Sequence, residues 1–145
     1  MKSRVLLVDD EPAIADWLRI VLEGEGYDVG VAADSVSALG QMTERDFALV
    51  DLVRPDGDGL QLLQQLKSKD PSLEVIIMTG HSSIAKAVEA TKQGAFYFVA
   101  KPFEAAEMLT LVNKALERRR LLAETSDLKR RLAEIDASIA GYLAA

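Results

Sequence analysis

Five short apolar runs, each followed by a segment with helical spacing, constrain this chain more than any other feature. The runs are RVLLV (4–8), DVGVA (28–32), FALVD (47–51), EVIIMT (74–79) and FYFVA (96–100). Between them PAIADWLRIVLEGEG (12–26), SVSALGQMTE (35–44), GLQLLQQLKSK (59–69) and SIAKAVEATKQG (83–94) read as helices. A last helical pattern starts at Glu104 and runs to about residue 140. In the first helix Pro12 suits the opening turn. Ile14, Trp17, Leu18, Val21 and Leu22 fall on one face, which predicts a core position for Trp17. Gly24 and Gly26 end that helix, and Ser35 is the expected cap of the second. Nearly continuous apolar strands alternating with helices predict a parallel sheet covered on both faces, with right-handed connections. The 145 residues, 49% of them hydrophobic, suffice for one such core.

The expected architecture is α/β: a (βα)5 doubly wound, parallel five-stranded sheet in the flavodoxin-like order 2-1-3-4-5, with an extended C-terminal helix. In such sheets sites lie beyond the carboxyl ends of the strands. Here those ends carry Asp9, Asp10 and Glu11 after the first strand, Asp51 at the end of the third, Thr79 and Gly80 after the fourth, and Lys101 after the fifth. Two carboxylates about 4 Å apart repel by about 1 kcal/mol in water and about 4 kcal/mol at an effective dielectric of 20. A divalent cation among the oxygens reverses that sign. All-oxygen ligands suit Mg²⁺, with Mn²⁺ possible. For Asp9 to Glu11 alone, acids capping the first helix explain the run equally well; Asp51, Thr79 and Lys101 at neighbouring strand ends favour a site.

Composition removes several classes. The net charge of -6 argues against broad nucleic-acid binding by these residues, and the absence of cysteine excludes disulfides, thiolate zinc sites and cysteine nucleophiles. No apolar run approaches a membrane span or a signal-peptide core, so a cytoplasmic protein is expected. The acidic strand 5–11 resembles that of a P-loop NTPase, but no G-x-x-x-x-G-K-[ST] loop accompanies it. DGDG (56–59) fails the calcium-loop pattern because Leu60 and Lys67 occupy ligand positions. An FMN phosphate would be repelled by three acids after the first strand.

Together LLVDDE, ALVDLVRPDGDG, IIMTGHSS and FVAKPF resemble the receiver domain of bacterial two-component response regulators, over about residues 3–120. The resemblance implies that Asp51 is the phosphoacceptor for a sensor histidine kinase. It implies Mg²⁺ held directly by Asp10, Asp51 and the Val53 carbonyl, with Asp9 acting through water. Lys101, Thr79 and the Gly80 amide would meet the phosphoryl oxygens, and Thr79 with Phe98 would form the switch. Beyond self-phosphorylation from a donor and slow hydrolysis, no enzyme activity is expected. The chain departs from the pattern at Arg54, often methionine, at the extra acid Asp56, at Phe98, often tyrosine, and at the apolar Val53. These bear on dephosphorylation and switch strength. His81 reads as a loop residue, and Arg118, Arg119 and Arg120 as the solvated side of a helix.

The receiver is expected to occupy residues 1–120 and a helical linker residues 121–145. Leu121, Leu128, Ile135 and Tyr142 recur every seven residues, with Thr125, Leu132 and Ile139 between them, which predicts a coiled-coil seam. Glu124 with Lys129 and Arg131 with Asp136 would then attract across a parallel dimer. A helix folded back on its own domain is the alternative. The whole looks similar to NtrC-like receivers, which precede a sigma-54-activating ATPase and a DNA-binding domain. The expectation is a homodimer, through this helix and the face of helix 4, strand 5 and helix 5. Phosphorylation would switch it and so control a transcriptional effector absent from these residues. A stand-alone receiver acting as an interaction module is the alternative.

Overall fold

The computed structural model describes residues 2–54, 57–80 and 84–144. Its elements are β1 (Arg4–Val8), α1 (Pro12–Gly24), β2 (Asp28–Ala32), α2 (Ser35–Gly40), β3 (Phe47–Asp51), α3 (Gly59–Lys69), β4 (Glu74–Thr79), α4 (Ile84–Lys92), β5 (Tyr97–Ala100) and α5 (Ala105–Ala144). The five strands are all parallel, in the order β2-β1-β3-β4-β5, as the alternation predicts. A two-residue antiparallel hairpin, Val53–Arg54 with Gly57–Asp58, follows β3 and was not foreseen.

Strand periodicity sorts the core into two layers. Leu6, Val8, Ala48, Val50, Val75 and Ile77 face α2, α3 and α4. Val5, Leu7, Leu49, Ile76, Met78 and Val99 face α1 and α5. β3 and β4 are buried along their whole length, which explains their unbroken apolar runs.

Three local expectations need correction. The buried stripe of α1 is Ala15, Leu18 and Leu22, so Trp17 lies at its margin, 40% exposed, with the Phe103 ring at 5.8 Å between centroids. The cap of α2 is Asp34, whose carboxylate accepts from the Ser37 amide at 2.8 Å; Ser35 is the first helical residue. α2 also stops at Gly40, and Glu44, which was placed in it, has a positive φ of 60°. The end of α1 follows expectation. Gly26, at φ 90°, lets the Gly26 and Tyr27 amides reach back to the Glu23 and Leu22 carbonyls.

The arginines of α5 are in part the solvated run expected, but two of them also reach partners on the sheet. Arg119 donates to the Ser72 carbonyl at 2.7 Å and pairs with Asp46 at 3.4 Å. Arg118 lies over the Phe96 ring and pairs at 3.6 Å with Glu74, a buried carboxylate. Arg118, 54% exposed, and Arg120, 63% exposed and paired with Glu124 along the helix, keep the expected solvent exposure. Arg118 and Arg119 fix α5 to the amino ends of β3 and β4 where it leaves the domain. Arg119→Ala is expected to cost about 1 kcal/mol, since one charged hydrogen bond and one partly exposed pair are lost. A urea midpoint would measure it, and an unchanged midpoint would show that the contact carries no stability.

Candidate functional site at the carboxyl ends of the strands

Register brings the polar strand ends together. Val8 pairs with Val50 and Ala32, Asp51 with Met78, and Thr79 with Ala100. Asp9 after β1, Asp51 and Thr79 at the last positions of β3 and β4, and Lys101 after β5 therefore share one edge. Each is polar at the end of an apolar strand, and Asp9, Asp51 and Thr79 are buried there, so packing alone does not call for them.

Lys101 lies at the centre. Its Nζ is 3.0 Å from Asp9 Oδ2, 3.4 Å from Asp51 Oδ2 and 3.5 Å from Glu11 Oε1. Asp9 is 2% exposed and Asp51 6%. The other oxygen of Asp9 accepts from the Glu11 amide at 2.9 Å. Asp9 therefore has one donor on each oxygen, which leaves Asp10, half-buried, as the less engaged acid of the pair. Ligand oxygens of Asp9, Asp10 and Asp51 lie within 4.8 Å of one another. An all-oxygen set at that spacing fits a hard divalent cation. The Lys101 main chain is anchored too, its amide donating to the Thr79 carbonyl at 2.6 Å.

Burial governs the ionisation of Asp51. It raises the Asp51 carboxyl from 3.8 to about 6; the nearby Lys101 ammonium opposes the rise and Asp9 adds to it. For Lys101 burial pulls downward, but the Asp9 hydrogen bond and the charges of Asp51, Asp9 and Glu11 outweigh it, and its pKa is raised. Lys101 stays an ammonium at neutral pH, while the Asp51 carboxyl, with no cation bound, is half-protonated near pH 6.

Most of the expected site residues meet here. Thr79 is buried, its hydroxyl donating to the Gly80 carbonyl at 3.1 Å. Gly80 borders open space, so packing does not require glycine there. Phe98 is half-buried on the α4 side of the sheet and stacks on Tyr97 at 5.5 Å. The Val53 backbone is in the hairpin after β3, its side chain outside the described residues; Asp56 and His81 also lie outside them. Two participants went unassigned. Glu11 was legible, two residues past Asp9. Arg54 was visible only as a departure from pattern, yet it is buried and bonded to the Asp51 main chain.

A parallel doubly wound sheet carrying acids, a hydroxyl and one lysine at its carboxyl edge defines a receiver-type signalling domain. The response regulator receiver domain family matches residues 5–113, and the chain belongs to that family. It is 38% identical over 133 residues to the nitrogen assimilation regulatory protein NtrX of Azorhizobium caulinodans, covering 89% of this chain and 29% of that protein. It is 38% identical over 136 residues to the C4-dicarboxylate transport transcriptional regulatory protein DctD of Pseudomonas aeruginosa, covering 92% of this chain and 29% of the relative. The chain thus spans less than a third of these relatives. The beryllofluoride-activated NtrC4 receiver domain dimer superposes with a TM-score of 0.75 at 37% identity, covering 80% of this chain and 98% of that one. The chain is a receiver domain of the NtrC-like kind. Among the described residues no helix is long and apolar enough to cross a membrane.

Proposed function

We propose that this receiver accepts a phosphoryl group on Asp51 from the phosphohistidine of a sensor kinase, with a divalent cation bound at Asp10, Asp51 and the Val53 carbonyl. The observation that carries the reading is the Lys101 ammonium, 3.4 Å from Asp51 Oδ2 and 3.0 Å from Asp9. An Asp51 carboxylate oxygen attacks phosphorus, the P–N bond breaks, and its electron pair stays on the histidine nitrogen. Phosphoryl transfer depends mainly on positioning and charge neutralisation. Lys101 supplies fixed positive charge beside the incoming oxygens, and Asp9 holds Lys101 in place. The Thr79 hydroxyl and the Gly80 amide border the same space. Mg²⁺, when bound, supplies further positive charge against the phosphoryl oxygens.

The consequence we draw is a switch in dimerisation, controlling a transcriptional effector beyond these residues. The beryllofluoride-activated NtrC4 receiver domain is a dimer, and α5 here carries an exposed apolar seam. Intact mass after acetyl phosphate treatment tests the core of the proposal. One added phosphoryl group is expected with Mg²⁺ and none with EDTA.

The raised pKa of Asp51 gives a pH dependence. In the metal-free protein the protonated form is favoured, so the Asp51 contribution to stability is fully present below about pH 4 and is lost as pH rises through about 6. Metal binding requires the carboxylate and competes with that proton. Apparent Mg²⁺ affinity is therefore expected to rise up to about pH 6 and then level off. Calorimetric titrations at several pH values would measure it. Affinity that stays flat between pH 5 and 7 would refute the coupling.

A further inference from the structure

Arg54 is almost wholly buried, at 5% exposure, one residue beyond the expected Val53 ligand. Its Nη1 donates to the Asp51 main-chain oxygen at 2.7 Å, and its Nη2 donates to Ser35 Oγ at 2.7 Å. A buried guanidinium is costly unless its donors are engaged. An apolar side chain of similar length would fill the space at no such cost. What the arginine adds is a tie between loops.

The strand order β2-β1-β3 sets the acid loop of Asp9 and Asp10 between the start of α2, at Ser35, and the end of β3, at Asp51. The acid loop is already fastened to β2, since the Asp9 amide donates to the Ala32 carbonyl at 3.1 Å. Arg54 fastens the loop after β3 to the start of α2, close to that same point. From the other side the Gly59 amide donates to the Leu52 carbonyl at 2.7 Å. A Cβ on Gly59 would stand 2.8 Å from Leu52 Cα and 3.2 Å from the Asp51 carbonyl oxygen. The main chain of Asp51 is thus gripped by a close-packed glycine and by the Arg54 fork. The three acids repel one another, and a rigid frame keeps them from spreading.

We infer that Arg54 is a positioning residue: acting through the Asp51 main-chain oxygen and Ser35, it holds the Asp51 carboxylate at the spacing from Asp9 and Asp10 that cation binding and phosphoryl uptake require. This rests on Asp51 being the phosphoacceptor. Misplacement by about 1 Å can lower a rate about a hundredfold.

The test compares wild type, Arg54→Met, Arg54→Lys, Ser35→Ala and the Arg54→Met/Ser35→Ala pair. Mg²⁺ dissociation constants come from calorimetry, and labelling rates with acetyl phosphate from intact mass. Arg54→Met is expected to label about tenfold more slowly and to bind Mg²⁺ several-fold more weakly. Arg54→Lys, which can keep one of the two bonds, should recover part of both losses. Ser35→Ala should lose less, and its loss should add less than fully to that of Arg54→Met, because the two residues share one bond. Wild-type affinity and rate in Arg54→Met would overturn the inference. Should that variant not fold, wild-type behaviour in both Arg54→Lys and Ser35→Ala would overturn it. A wild-type protein that binds Mg²⁺ but takes no phosphoryl group refutes the phosphoacceptor instead, and the Mg²⁺ titrations still decide the role of Arg54.

Discussion

Asp51→Asn is expected to abolish phosphoryl uptake and at the same time to make the metal-free protein more stable. The amide keeps the shape of the carboxyl but lacks the anionic oxygen that attacks phosphorus, so labelling should vanish rather than slow. The stability gain has a separate origin. Burial lifts the Asp51 carboxyl from 3.8 to about 6, so its ionised form is disfavoured in the fold at neutral pH. Relieving that cost is worth up to about 2–3 kcal/mol. Lys101 keeps Asp9 and Glu11 as partners, so the ammonium is not stranded. Intact mass with acetyl phosphate and thermal unfolding without metal read the two effects. Labelling that persists in the variant, or in wild type with EDTA, would place the acceptor elsewhere. A less stable variant would show that Asp51 supports the fold in a way its burial does not suggest.

Leu128→Glu combined with Ile135→Glu is expected to convert a dimer to monomers. Leu121, Leu128, Leu132, Ile135 and Ile139 are each about half exposed or more along α5, which leaves the domain after Arg119. They form one stripe at heptad spacing, where a second copy would bury them. Two carboxylates in that seam would be desolvated without partners, weakening association by at least about a hundredfold. Phosphorylation of Asp51 would add about 1.5 to 2 negative charges beside Thr79 and Lys101. Drawing the Thr79 hydroxyl from the Gly80 carbonyl toward that charge would open space that Phe98 can fill. The face of α4, β5 and α5 would then repack. Phe98→Ala should therefore phosphorylate normally and blunt the difference between the two forms. Light scattering and solution scattering with and without beryllofluoride would decide both points. A monomer in both states, or one unchanged dimer, would show that the seam or the switch does not operate.

The chain's own pattern determined most of the framework. Nearly continuous apolar runs alternating with amphipathic segments leave little choice but a two-sided parallel sheet. Once the strands are known, Asp9, Asp10, Asp51, Thr79 and Lys101 fall at its carboxyl edge by counting alone. These features are local, each readable within a few residues. What only the tertiary structure decided depends on distant partners. Lys101 joins Asp9 across the sheet from 92 positions away. Trp17 sits at the margin because the loop bearing Phe103 covers one side of it, and helical spacing carries no information about that loop. Arg118 and Arg119 look like a surface charge run until Glu74, Ser72 and Asp46 arrive beneath them. Arg54 looks like a departure from pattern until the strand order places Ser35 within reach. In each case periodicity sets which way a side chain points, and only the packing of remote segments sets what it meets.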